Sequence, residues 1–143
     1  MPLINSIVLS NDLQILIWHI EETLEELFEN IKLTSEDLKR LKKRKKVINQ
    51  KGFLAIRNLF LYADINTEKL FYNSMGAPVL KSGKKLSISH SQTVAGIAFG
   101  SKPVGFDLEC YQKKQVLWLL YFAKMVIKRL HLSTIPFLHP SSD

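Results

Sequence analysis

The chain has 143 residues, a formal net charge of +7, 46% hydrophobic side chains and one cysteine, Cys110. That length suits one compact domain with enough apolar content for a core, which excludes disorder through the main body. The lone cysteine excludes an internal disulfide and a cysteine-rich zinc site and fits a reducing, cytoplasmic setting, while the charge points to an anionic partner: nucleic acid, an anionic lipid surface, a nucleotide-like cofactor or an acidic protein.

The opening residues, Met1 to Ser10, lack the basic start and small-residue cleavage site of a signal peptide, and Asn5 interrupts their apolar run. Ile4 to Leu9 and Leu13 to His19 read as two strands joined by a turn at Ser10-Asn11-Asp12. Ile20 to Asn30 changes to a helical period, with Leu24, Leu27 and Phe28 on one face among glutamates. Thr34 followed three residues later by Asp37 is a variant capping box that should start a second helix. Leu38, Leu41 and Ile48 give it a sparse apolar stripe, and Lys39, Arg40, Lys42, Lys43, Arg44, Lys45 and Lys46 make the rest basic. Beyond Gly52 the residues Phe53, Leu54, Ile56, Leu59, Phe60 and Leu61 predict a further helix, buried on most sides and ending near Asp64.

Strand signals follow. Lys69 to Tyr72 favours β structure, Asn73 to Gly76 and Ser82-Gly83 are turns, Leu86 to Ser89 alternates, and Val94 to Phe99 is apolar. Val104 to Glu109 alternates strictly after the turn at Gly100 to Pro103. From Val116 to Leu132 the chain is apolar but carries Lys124, Lys128, Arg129 and His131, so it reads as an amphipathic or protein-docked helix rather than a membrane span. The expected fold class is α+β, a mainly antiparallel sheet packed against helices. Residues 1–112 read as an N-terminal domain with the opening strand of a second half, and 113–143 as a divergent or truncated apolar tail with a loose end at Phe137 to Asp143.

Two segments concentrate chemistry. Alternation along Val104-Gly105-Phe106-Asp107-Leu108-Glu109 sends Val104, Phe106 and Leu108 into a core, and Gly105, Asp107 and Glu109 the other way. The two carboxylates then lie roughly 7 Å apart along the strand and can converge on one hard cation such as magnesium. Alone, the pattern also suits an exposed face with two solvated acids. In the second segment, Leu86-Ser87-Ile88-Ser89-His90-Ser91, hydroxyls, an imidazole and backbone N–H groups gather at a strand end, a setting that can hold a phosphate. A Ser-His nucleophile pair is disfavoured, because adjacent residues on a strand point apart and no orienting acid is evident.

Taken together, Ser-Ile-Ser-His-Ser, an apolar strand and Pro-Val-Gly-Phe-Asp-Leu-Glu resemble the 4'-phosphopantetheinyl transferase superfamily, in its surfactin-synthetase-activating type. Upstream, Phe53-Leu54-Ala55-Ile56-Arg57 is similar to that family's arginine-bearing helix, and Phe71-Tyr72 with Gly76-Ala77-Pro78 and Leu80 to its Gly-Lys-Pro turn. The resemblance covers roughly residues 33–111. It implies transfer of the phosphopantetheine arm of coenzyme A to a serine of an acyl or peptidyl carrier protein. It further implies magnesium on Asp107 and Glu109, coenzyme A phosphates against Ser89 and His90, a further phosphate contact at Arg57, and Gly76 and Pro78 bordering the coenzyme site. On that basis Asp107, Glu109 and His90 are the expected catalytic residues.

Two departures accompany the resemblance. Ala77 stands where the family's turn carries lysine, so Lys81, Lys84 or Lys85 would have to replace one phosphate contact. The family continues to a Trp-x-x-Lys-Glu helix that completes its metal site, whereas 34 residues follow Glu109 here. Tyr121-Phe122-Ala123-Lys124-Met125 echoes that motif too early and with Met125 for the glutamate, and is read as coincidence. The expectation is therefore a first half of the fold with impaired catalysis and an exposed partner surface, through which a homodimer could form. The alternatives are a non-catalytic carrier-protein-binding module and a basic nucleic-acid-binding module on Lys39 to Lys46. The latter lacks a recognised motif and regular aromatic interleaving.

Overall fold

The computed structural model describes residues 3–10, 13–65, 70–72, 74, 78–80, 83–91, 93–101, 104–111, 114–121, 126–131 and 137–138. The chain is α+β. Among the described residues the strands are β1 (Leu3–Ser10), β2 (Leu13–His19), β3 (Leu70–Tyr72), β4 (Pro78–Leu80), β5 (Lys85–Ser91), β6 (Val94–Gly100), β7 (Val104–Tyr111), β8 (Lys114–Tyr121), β9 (Val126–His131) and β10 (Phe137–Leu138). The helices are α1 (Leu24–Phe28), α2 (Ser35–Lys42) and α3 (Val47–Tyr62).

The main sheet has the order β10-β1-β2-β6-β5 and is antiparallel throughout. The pairs β3-β4 and β7-β8-β9 form separate antiparallel sheets. Period-2 alternation gives the main sheet two apolar faces. Leu16, Trp18, Ala95, Ile97 and Leu86 share one buried cluster with Phe53, Leu54, Ile56, Leu59 and Phe60 of α3. Ile15, Ile17 and Ala98, one position out of phase, are fully buried as well. On their side β7 packs against β5 and β6.

The helices begin and end where local chemistry satisfies their free backbone groups. Thr23 and Glu26 form a reciprocal capping box at α1, and Thr34 and Asp37 form one at α2. At the end of α3, Ile65 N–H donates to the Phe60 carbonyl and Asp64 N–H to that of Leu61, with Asp64 at φ 59°. That is a Schellman ending with an aspartate in the left-handed position.

Four expectations need correction. The first helix is shorter than Ile20 to Asn30: Ile20 N–H is taken by the Thr93 carbonyl, and Glu22 by the Trp18 indole N–H at 2.9 and 3.2 Å. The basic helix does not run on to Ile48. Gln50 Nε2 donates to the Arg44 carbonyl between α2 and α3, and α3 begins at Val47, ahead of Gly52. The segment from Val116 is not a helix: β8 and β9 occupy it and pair in register, Trp118 opposite Asp107 on one side and Arg129 on the other. An apolar run of this length does not reveal its period, and the open edge of β7 is what an eight-residue strand can satisfy. Phe137–Leu138 is likewise no loose end, because it pairs with Asn5 and Ile4. Among the described residues no helix is long and apolar enough to cross a membrane.

Candidate functional site

The two motif-bearing strands meet at one hydroxyl. Ser89 Oγ donates to Asp107 Oδ1 at 3.1 Å and accepts from the Leu108 N–H at 3.1 Å. Phe106 and Leu108, buried on either side of Asp107, close over Gly96 of β6. A Cβ at Gly96 would lie 3.0 Å from Phe106 Cε2, 3.1 Å from Leu108 Cδ1 and 3.1 Å from the Leu16 carbonyl oxygen. Glycine at that position therefore lets β7 settle on the sheet, leaving Asp107 exposed on its outer face. Glu109 follows two residues along β7, opposite Val116 of β8; its side chain lies outside the described residues.

His90 takes the other face of β5. Its ring lies against Gly52 of α3, where a Cβ would come within 2.8 Å of Cγ and Nδ1. Burial pushes its pKa below the ordinary histidine value, and the neighbouring Arg44 charge lowers it further. Both causes favour the neutral imidazole. Ser89 and His90 do not converge on a single group, as gathering at a strand end would have had them do, because period-2 alternation separates them.

Arg57 is 3% exposed and committed inside the protein. Nε donates to Asp37 Oδ1 at 3.0 Å, and Nη2 donates to the Tyr72 hydroxyl at 2.9 Å. Two further arginines, whose grouping the sequence did not reveal, collect beside it. Arg40 stacks on the Tyr72 ring at 3.5 Å, and Arg44 on the Phe53 ring at 4.4 Å. Arg57 also faces Phe53, at 4.4 Å. Burial lowers the pKa of Arg44; Tyr72 opposes that shift, and Arg57 and Arg40 add to it. Among the described residues Arg40 Nε is enclosed without a hydrogen bond and lies 3.7 Å from Glu36 Oε1. The signal for this group was the i,i+4 spacing of Arg40 with Arg44 and of Phe53 with Arg57, which places each pair on one helical face or turn.

Pro78 lies half-buried at the start of β4, paired with Tyr72. Gly76, Ala77 and Lys81 lie outside the described residues, as do Lys124 and Met125. A cavity of about 340 Å³ opens between the α1–α2 connection and the end of α3, lined by Ile31, Leu33, Asp37, Arg57, Leu61 and Ile65 among others. Its lining includes neither Asp107, which is exposed, nor the half-buried Ser89 and His90.

The donor set around Asp107 is all oxygen, which suits a hard cation. Among the described residues no three His, Cys, Asp or Glu side chains gather. Magnesium tolerates such a sparse site, since it is held by one or two carboxylates plus waters and substrate phosphates. Comparison with protein-family models, with curated proteins and with solved structures gave no match.

Proposed function

We propose that this chain binds coenzyme A with magnesium in the manner of a 4'-phosphopantetheinyl transferase, and presents it to an acyl or peptidyl carrier protein. The observation that carries this reading is the Ser89–Asp107 hydrogen bond. It joins the two segments that bear the family-like motifs, 18 residues apart in the chain.

In this reading Asp107, with Glu109 beyond it, holds magnesium, which when bound offsets charge building on the pyrophosphate leaving group. Arg40 and Arg44 supply fixed positive charge on the α3 side of β5, where His90 adds an N–H donor. Arg57 serves by bracing that cluster through Asp37 and Tyr72 rather than by meeting a phosphate. The carrier serine oxygen forms the new P–O bond to the phosphorus next to pantetheine. The bond to adenosine 3',5'-bisphosphate breaks, and the serine proton passes to water. A nucleic-acid-binding role is less well supported: the Tyr72 and Phe53 rings that could stack on bases are already covered by arginines.

Titration calorimetry with coenzyme A, with and without magnesium, on wild type and Asp107→Ala tests the proposal. Magnesium-dependent binding is expected in wild type and is lost in the variant. Binding without transfer to a carrier protein would indicate a non-catalytic carrier-binding protein; no binding in wild type would refute the proposal.

A further inference from the structure

We propose that Ser89 is a positioning residue: its hydroxyl clasps β7 to β5 and fixes the aim of Asp107, and it is not a contact for a ligand's phosphates. The argument is one of donors and acceptors. A serine hydroxyl has one hydrogen and two lone pairs. The hydrogen is given to Asp107 Oδ1, and one lone pair receives the Leu108 N–H. Only a lone pair remains, and a lone pair cannot donate to a phosphate oxygen. To meet a phosphate, Ser89 would have to abandon Asp107.

The clasp also occupies a gap in the ladders. Among the described residues β5 pairs with β6 and β7 pairs with β8, and no ladder joins β5 to β7 although the two lie side by side. The amide of Leu108 therefore finds its partner in a side chain. Phe106 and Leu108 over Gly96 hold β7 against the sheet, through apolar contacts that are not directional. The hydroxyl supplies the directional contact that sets where along β5 the carboxylate stands. It engages one carboxylate oxygen at an exposed position, and among the described residues no hydrogen bond reaches the other. That second oxygen is the one a divalent cation would take, and this last step rests on the coenzyme A and magnesium reading.

Two measurements on the full chain separate the parts. Amide exchange by NMR reads the clasp. Ser89→Ala should speed exchange at Leu108 by about tenfold, the loss of one hydrogen bond, with the β5–β6 ladder unchanged. Ser89→Thr should restore protection. Paramagnetic resonance with Mn²⁺ reads the aim: affinity should fall about fivefold or more in Ser89→Ala and recover in Ser89→Thr. Unchanged protection at Leu108 in the alanine variant, or a threonine variant no better than alanine, would overturn the proposal. So would an alanine variant that keeps its Mn²⁺ affinity but loses metal-free coenzyme A binding, the mark of a phosphate contact. If wild type takes up no Mn²⁺, the coenzyme A and magnesium reading falls and exchange at Leu108 alone decides the clasp. Should Ser89→Ala not fold, Asp107→Asn leaves the hydroxyl free to accept from Leu108. Protection is then expected to survive, and its loss would count against the clasp.

Discussion

At the scale of single residues, Arg57 separates a structural role from a binding one. Its guanidinium and the Asp37 carboxylate are both almost fully enclosed, and Asp37 Oδ2 also accepts from the Thr34 N–H that opens α2. Removing the cation leaves a buried carboxylate uncompensated, which costs about 3–5 kcal/mol. Replacing both partners by apolar groups of similar volume avoids that penalty and gives up the cap contribution of Asp37 and the Tyr72 hydrogen bond, about 1 kcal/mol each. Arg57→Met is therefore expected to lower the unfolding free energy by about 3–5 kcal/mol in urea denaturation, and Arg57→Met with Asp37→Leu to regain much of it. An Arg57→Met protein of unchanged stability that no longer bound coenzyme A would show instead that the arginine faces the ligand. The resemblance offered Arg57 as a phosphate contact because it stands where the family's helix carries its arginine. Asp37, 20 residues away, becomes its partner only once α2 and α3 pack.

At the scale of elements, two glycines decide how the layers meet. Gly52 admits the His90 ring against α3, and Gly96 admits Phe106 and Leu108 against β6. At Gly96 one of the three nearest atoms is a backbone carbonyl oxygen, so an added methyl cannot be accommodated by side-chain movement alone. Gly96→Ala should destabilise the fold by about 1–3 kcal/mol in chemical denaturation, the usual scale of overpacking. It should also displace β7, read as a change in the Leu108 amide shift. Strands β5 and β7 were legible in the sequence because their alternation is short and local, and β1, β2 and β6 because turn residues bound their apolar runs. So was the start of α2, because a capping box is a pattern of neighbours. The break between α2 and α3 was not, since lysines run through it unbroken and the bonds that end α2 are made by Arg44 and Gln50 after the chain has turned. β8 and β9 were missed for a related reason: apolar residues in that stretch satisfy a helix or a strand equally, and the choice is made by the edge of β7. At the site, the parity that puts Asp107 outside and Phe106 and Leu108 inside was legible, whereas the arginine cluster depended on how two helices cross.

At the scale of the whole molecule, charge is unevenly placed. Glu25, Glu26 and Glu29 are exposed around α1, while Lys39, Lys42, Lys43, Lys45 and Lys46 are exposed along and just beyond α2, so the exposed charge changes sign from the first helix to the second. Arg40 and Arg44 turn inward onto aromatic rings and the lysines do not, which divides the basic run into an inner, fixed set and an outer, solvated one. Solvated charges contribute little to stability but steer diffusional encounter, and the effect falls with ionic strength over a Debye length of about 8 Å at physiological salt. Exchanging Lys39, Lys42 and Lys43 for glutamate should therefore leave unfolding nearly unchanged. It should slow association with an acidic carrier protein about tenfold or more at low salt, with the dissociation rate little affected. Stopped-flow measurements across a salt series check this. In wild type the association rate should fall steeply with added salt, and in the variant that dependence should flatten or reverse. Equal association rates for wild type and variant at low salt would show that the lysine face is solvated surface alone. If the same exchange instead abolished duplex DNA binding by the wild-type chain, with a steep salt slope of its own, the anionic partner of this face would be nucleic acid.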